Sequence, residues 1–150
     1  MTFIRLSLLA LLVISTFACT GSVDLEKEKA AVRAVWDEAG SALVTKDWNR
    51  YQKVFSHEPD LQVIHPGDWI KGWDMFQQRY QAIFASDTTW TFETRRFDVQ
   101  ISPAGDVAWA TIETVMTMNE TRQTAWQVAV FKKIDGQWKI VLGFSASLDS

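Results

Sequence analysis

The sequence predicts an α+β domain in which three helices gather on one face of a bent antiparallel sheet. Two observations carry this expectation. Apolar residues recur at helical spacing over most of the first 85 residues and at spacing two from Trp90 onward, and the stretch from Ala125 to Ser145 reads as one long hairpin. The element order is helix, helix, strand, helix, then four consecutive strands.

Asp24 is placed to cap the first helix, whose first turn holds Glu26 and Glu28. A carboxylate there accepts from free backbone N–H groups and complements the helix dipole. Val32, Val35, Trp36, Ala39, Ala42 and Leu43 form its apolar side. Lys46 ends it, and Asp47 caps a shorter helix with Trp48, Tyr51 and Phe55 as its stripe. A loop from Ser56 to Asp60 precedes a short strand, Leu61 to His65, halted by Pro66-Gly67-Asp68 with Trp69 and Ile70 just beyond. Gly72 opens the third helix, with Trp73, Phe76, Tyr80, Ile83 and Phe84 opposite Gln77, Gln78 and Gln81. In the next strand Trp90 and Phe92 alternate in one frame and Phe97, Val99 and Ile101 in the other, which calls for a bulge near Arg95-Arg96. Turns at 102–106 and 119–122 flank the strand from Val107 to Met118.

For the last hairpin, a three-residue loop at Ile134-Asp135-Gly136 pairs Lys132 with Trp138, Val130 with Ile140, Val128 with Leu142 and Trp126 with Phe144. This register collects the large apolar side chains on one face. A two-residue loop would set Lys132 opposite Lys139 and split that set, so the longer loop is expected.

Composition narrows the function. The chain has 150 residues, 47% hydrophobic and 22% charged, which fits one globular domain. A net charge of -3 with pI near 5.3 gives no footprint for nucleic acid. One cysteine and two histidines leave no metal site with a recognisable spacing, and no phosphate loop or nucleophile elbow implies a cofactor. Eight Trp and nine Phe supply aromatic surface for a core or an apolar pocket.

The N-terminus reads as a leader. Residues 1–18 hold Arg5, an apolar run from Leu6 to Ile14, and small or polar residues to Ala18, the layout of a secretory signal. Cys19 follows directly and resembles the lipidated cysteine of a bacterial lipoprotein lipobox, although Thr16 and Phe17 depart from that pattern. Ordinary cleavage near Ala18 is the alternative. The expected organisation is a signal peptide at 1–18, a tether at 19–23 with Cys19 as anchor, and one domain over 24–150, held at a membrane facing the periplasm or cell exterior.

Four motifs in order carry a further resemblance: Lys46-Asp47-Trp48, Lys71-Gly72-Trp73, Asp106-Val107-Ala108-Trp109, and the run from Asp135 to Val141. Together they resemble the SnoaL-like branch of the nuclear-transport-factor-2-like superfamily over residues 26–147. The resemblance implies a cone-shaped, cystatin-like domain enclosing one pocket, commonly dimeric through its sheet. It implies no single reaction, since enzymes and non-catalytic domains share the fold. Many relatives carry histidine after the Trp-x-Ile-Val motif, where this chain has Leu142, Gly143 and Phe144.

The candidate ligand-binding set is Trp36, Tyr51, Trp69, Trp73, Trp90 and Trp126, with the cavity expected beside Trp73 and Trp126. Candidate catalytic residues are His65, Glu113 and Tyr51. His65 shares a strand face with Leu61 and Val63 and either points into the cavity mouth or bonds its own turn. Glu113 is either a buried carboxylate or a solvated one. His57 reads as a solvated loop residue, and Arg95, Arg96 and Asp98 as a surface ion-pair group. The function expected is binding of a small, mostly apolar molecule, with acid-base enzyme and partner-binding domain as alternatives. The sheet face carrying Ala129, Phe131, Val141 and Gly143 is expected to be the outer one, available to a second copy.

Overall fold

The computed structural model describes residues 23–148. The expected leader and Cys19 lie outside them. Three α-helices, α1 (Leu25–Val44), α2 (Trp48–Tyr51) and α3 (Trp73–Ala85), pack on a six-stranded sheet of β1 (Gln62–His65), β2 (Asp68–Lys71), β3 (Trp90–Ile101), β4 (Val107–Met118), β5 (Thr121–Ile134) and β6 (Gln137–Ser147). The strand order is β2-β1-β6-β5-β4-β3, antiparallel except where β1 runs parallel to β6. The α+β reading and the three helices hold.

Helix ends are set by local chemistry. Asp24 accepts from Lys27 N at 3.1 Å, and Asp47 accepts from Arg50 N at 3.0 Å. Lys46 terminates α1 in the left-handed region, φ 53°, with its N–H on Leu43 O and that of Asp47 on Ala42 O. This is the paired-bond ending that glycine usually supplies, here made by lysine. Glu28 ties the first turn of α1 to the last hairpin, accepting from Lys133 Nζ and Trp138 Nε1, both at 2.7 Å. Those bonds, Lys133 first, hold the Glu28 carboxyl below its ordinary value of 4.5.

The β3 bulge falls between Thr94 and Arg96. Its extra residue rejoins the two frames, so Phe92, Thr94, Phe97 and Val99 pair with Met116, Thr114, Ile112 and Ala110 on one face. That is the helix-facing side, where Ala108, Ala110, Ile112 and Thr114 are buried.

Two expectations need correction. Residues 68–71 form a strand, because Gly67 at φ 79° closes a tight turn and β2 pairs back on β1. The last hairpin has a two-residue turn, with Ile134 opposite Gln137 and Lys132 opposite Lys139. Asp135 at φ 49° and Gly136 at φ 77° both take the left-handed conformation that such a turn requires. A bulge then shifts the register from Phe131↔Ile140 to Val130↔Leu142. The consequence is a reversed sheet. Ala129, Phe131 and Ile140 are buried against the helices, and Gly143 lines the space beneath them. Val128 and Phe144 stay exposed on the outer face, in one row with Thr111 and Ile64. Small residues at 108, 110, 125, 129 and 143 let helices approach the concave side, a packing requirement that outweighs the size of the side chains.

Candidate functional site

Between α1, α3 and the concave face lies a cavity of about 380 Å³. The C-terminal half of α1 contributes Trp36, Ala39, Gly40 and Leu43; α2 and α3 contribute Tyr51, Tyr80 and Ile83. Trp90, Phe92, Met116, Met118 and Gln123 line it from the ends of β3 and β4 and the start of β5. The wall therefore sits at the strand ends next to the β4–β5 turn, away from the β5–β6 hairpin where α1 begins. No Asp, Glu, Lys or Arg lines it among the described residues.

Its polar groups form a chain. Because β1 runs beside β6 with Ile64 opposite Phe144, His65 falls next to Ser145 on the inner face. His65 Nδ1 lies 2.8 Å from Ser145 Oγ, and Nε2 lies 3.1 Å from the Tyr80 hydroxyl. Tyr51 lines the cavity beside Tyr80. Burial holds all three titrating groups neutral. It lowers His65 from its ordinary 6.5, with Asp68 pulling up and Arg79 pushing down. Burial pushes Tyr80 up to about 12, and burial beside the Tyr80 hydroxyl takes Tyr51 well above 10.0. The phenol rings are fixed by stacking: Tyr80 on Phe76 at 4.3 Å and on Tyr51 at 5.3 Å. Such a chain offers directed hydrogen bonds without a net charge. A neutral imidazole between hydroxyls is also a proton carrier.

The anticipated residues divide. Trp36, Tyr51, Trp90 and His65 line the cavity. Trp69, Trp73 and Trp126 do not. Trp69 is 60% exposed on β2, opposite the outer-face Ile64. Trp73 is taken up by His57, stacked at 3.7 Å, and by Trp48 at 6.2 Å. His57 itself stays exposed, as read, and its Nε2 bonds Gln52 O at 3.0 Å. Trp126 and Glu113 are corrected by the sheet reversal. They stand opposite each other on the outer face with Arg96, whose Nε is 3.9 Å from Glu113 and whose guanidinium lies 5.7 Å from the Trp126 ring. Glu113 is therefore no base for this cavity, and the cavity lies beside Trp36 and Trp90 rather than Trp73 and Trp126.

Tyr80, Ser145 and Gln127 escaped the sequence reading. Tyr80 was placed only on an apolar stripe, and Ser145 reaches His65 through a parallel pairing with no sequence signal.

The profile of the SnoaL-like domain matches residues 32–146. The chain belongs to the SnoaL-like domain family. Solved structures agree on the fold. This SnoaL-like chain superposes on a nuclear transport factor 2-like superfamily protein from Salmonella enterica with TM-score 0.74, 17% identity, and 83% and 94% of the two chains covered. A candidate dehydratase of the same family from Streptomyces avermitilis gives TM-score 0.75, 16% identity, and 83% and 99% covered. A cystatin-like protein of unknown function from Nostoc punctiforme gives 0.69, 17%, and 81% and 92%. At such identities the likeness shows the fold alone. No curated protein sequence matches the chain. Among the described residues of this SnoaL-like domain, no group of three or more His, Cys, Asp or Glu could hold a metal ion, and no helix is long and apolar enough to cross a membrane.

Proposed function

We propose that this SnoaL-like domain binds a small, largely apolar, uncharged molecule between its helices and sheet. One observation carries the reading: a cavity of about 380 Å³ has polar groups in its wall, yet none of them is ionised near neutral pH. A charged ligand would lose hydration without meeting a counter-charge; a neutral one loses little. Tryptophan emission from Trp36 and Trp90 should respond to tetralin and 2-tetralone with little dependence on salt, and Trp90→Ala should weaken both. Stronger binding of anionic 2-naphthoate, abolished by salt, would refute the reading.

A second reading is favoured by the neutral His65 held between two hydroxyls: acid-base catalysis on the bound molecule, with His65 as proton carrier and Tyr51 or Tyr80 as hydrogen-bond donor. The dehydratase description of one structural neighbour concerns that protein. The check is α-hydrogen exchange of 2-tetralone in D2O. Acceleration by the wild type that His65→Gln abolishes would support catalysis; exchange at the buffer rate with binding intact would remove it.

We also propose that Cys19 anchors the domain to a membrane and that the cavity faces away from it. Val23 reaches the fold at the β3–β4 turn, so close to Gly105 that a Cβ there would sit 2.8 Å from Val23 Cγ1. The cavity wall is built from the opposite strand ends. A mature protein that begins after Cys19, or carries it unmodified, would refute anchoring, and Cys19→Ser should release the domain.

A further inference from the structure

The concave face carries a polar row that runs across the sheet. Gln127 on β5 stands directly opposite Ser145 on β6, and both line the cavity. Directly opposed residues have Cβ atoms about 5 Å apart, so one small ligand group can touch both. Beyond Gln127 the row continues into fully buried Thr114, which pairs with Thr94, itself the acceptor for Trp36 Nε1 at 3.0 Å. Gln127 Nε2 donates to Thr114 Oγ1 at 2.8 Å, which leaves the amide oxygen as the group offered to a ligand.

The direction of hydrogen bonding along the other arm follows from burial. Tyr80 is 8% exposed, so its hydroxyl hydrogen needs a protein acceptor, and His65 Nε2 is the one in reach. A neutral imidazole that accepts at Nε2 carries its proton on Nδ1, and Nδ1 then donates to Ser145 Oγ. Every bond in the chain runs the same way, an arrangement in which each polarises the next. The hydrogen of Ser145 is left over for whatever lies in the cavity.

We propose that Ser145 and Gln127 act as a paired donor and acceptor that selects neutral cyclic amides, with the ligand carbonyl on Ser145 and its N–H on Gln127 Oε1. This rests on the ligand-binding reading above and names the class of ligand. A cis amide offers acceptor and donor side by side, which matches two groups on neighbouring strands. A ketone satisfies only Ser145, and a hydrocarbon satisfies neither.

The test uses four compounds of nearly one shape: 3,4-dihydro-2(1H)-quinolinone, its N-methyl derivative, 2-tetralone and tetralin, titrated against the wild type and single variants. Gln127→Leu, and the more nearly isosteric Gln127→Met, should weaken the lactam about tenfold, the worth of one neutral hydrogen bond. Both should leave 2-tetralone and tetralin within about twofold. Ser145→Ala should weaken every carbonyl compound and spare tetralin, whose binding also reports that the variants are folded. A lactam no tighter than its N-methyl derivative, or one whose affinity survives both Gln127 variants, overturns the pairing while ligand binding stands. If none of the four compounds binds, the binding reading falls and this inference falls with it.

Discussion

Replacing Tyr80 with Phe should isolate the energetic worth of the polar chain. The substitution removes one oxygen and keeps the ring, so the stacks on Phe76 at 4.3 Å and on Tyr51 at 5.3 Å persist. One hydrogen bond disappears, that to His65 Nε2 at 3.1 Å. His65 lines the cavity, where water can replace the lost partner, so the cost is that of one neutral hydrogen bond, about 1 kcal/mol. For a domain of this size that corresponds to a fall in Tm of about 4 °C. Urea denaturation of the wild type, Tyr80→Phe, His65→Gln and the double variant would measure it. The double variant should cost less than the sum of the singles, because both singles remove the same bond. Refutation would be a Tyr80→Phe protein within about 0.3 kcal/mol of the wild type, or strict additivity, either of which means the hydroxyl and the imidazole are not joined.

Three further outcomes are expected. His65 binds its proton less readily in the folded chain than at its ordinary value of 6.5, so the unfolded state takes up more protons below that value; stability is full above pH 6.5 and falls as pH drops from there toward the lowered folded value. Thermal melts should show this loss, and His65→Gln should remove it, while the further loss below 4.5 from Glu28 and Glu38 persists. Gly40→Ala should change stability by less than about 1 kcal/mol, since the helix gains while the Phe92 ring, only 2.5 Å from the added Cβ, must swing aside; Phe92 lines the cavity, so 2-tetralone affinity should drop instead. We propose that the outer face, with Trp69, Trp109, Val128 and Phe144 all exposed, binds a second copy of the domain. Sedimentation of the Cys19-truncated domain should then show dimers that Trp109→Lys dissociates, and a wild type that stays monomeric at micromolar concentration would discard the proposal.

How much was legible follows from which interactions are local. The α1 cap at Asp24, the α2 cap at Asp47, the Gly72 start of α3 and the β3 bulge were all readable, because caps and frame slips are written within a few residues. Asp135-Gly136 spells a two-residue hairpin turn, whereas grouping the large apolar residues on one face argues for the longer loop. A bulge reconciles the two, and it is placed by packing against the helices rather than by turn chemistry. Sorting the aromatics failed for a related reason: periodicity says that Trp69, Trp73 and Trp126 are apolar, and only the sheet and its neighbours decide what covers them.

The sequence by itself determined the α+β class, the helix starts and the SnoaL-like resemblance. The tertiary structure decided which sheet face is concave, and through that which residues reach the cavity. His65, Tyr80, Gln127 and Ser145 are separated by as many as 80 residues and meet because β1 adds in parallel beside β6. Side chains on a strand alternate between faces with a period of two, so the one bulged residue in the last hairpin exchanges the faces beyond it; unlike the β3 bulge, it is placed by packing against the helices and not by a local frame slip.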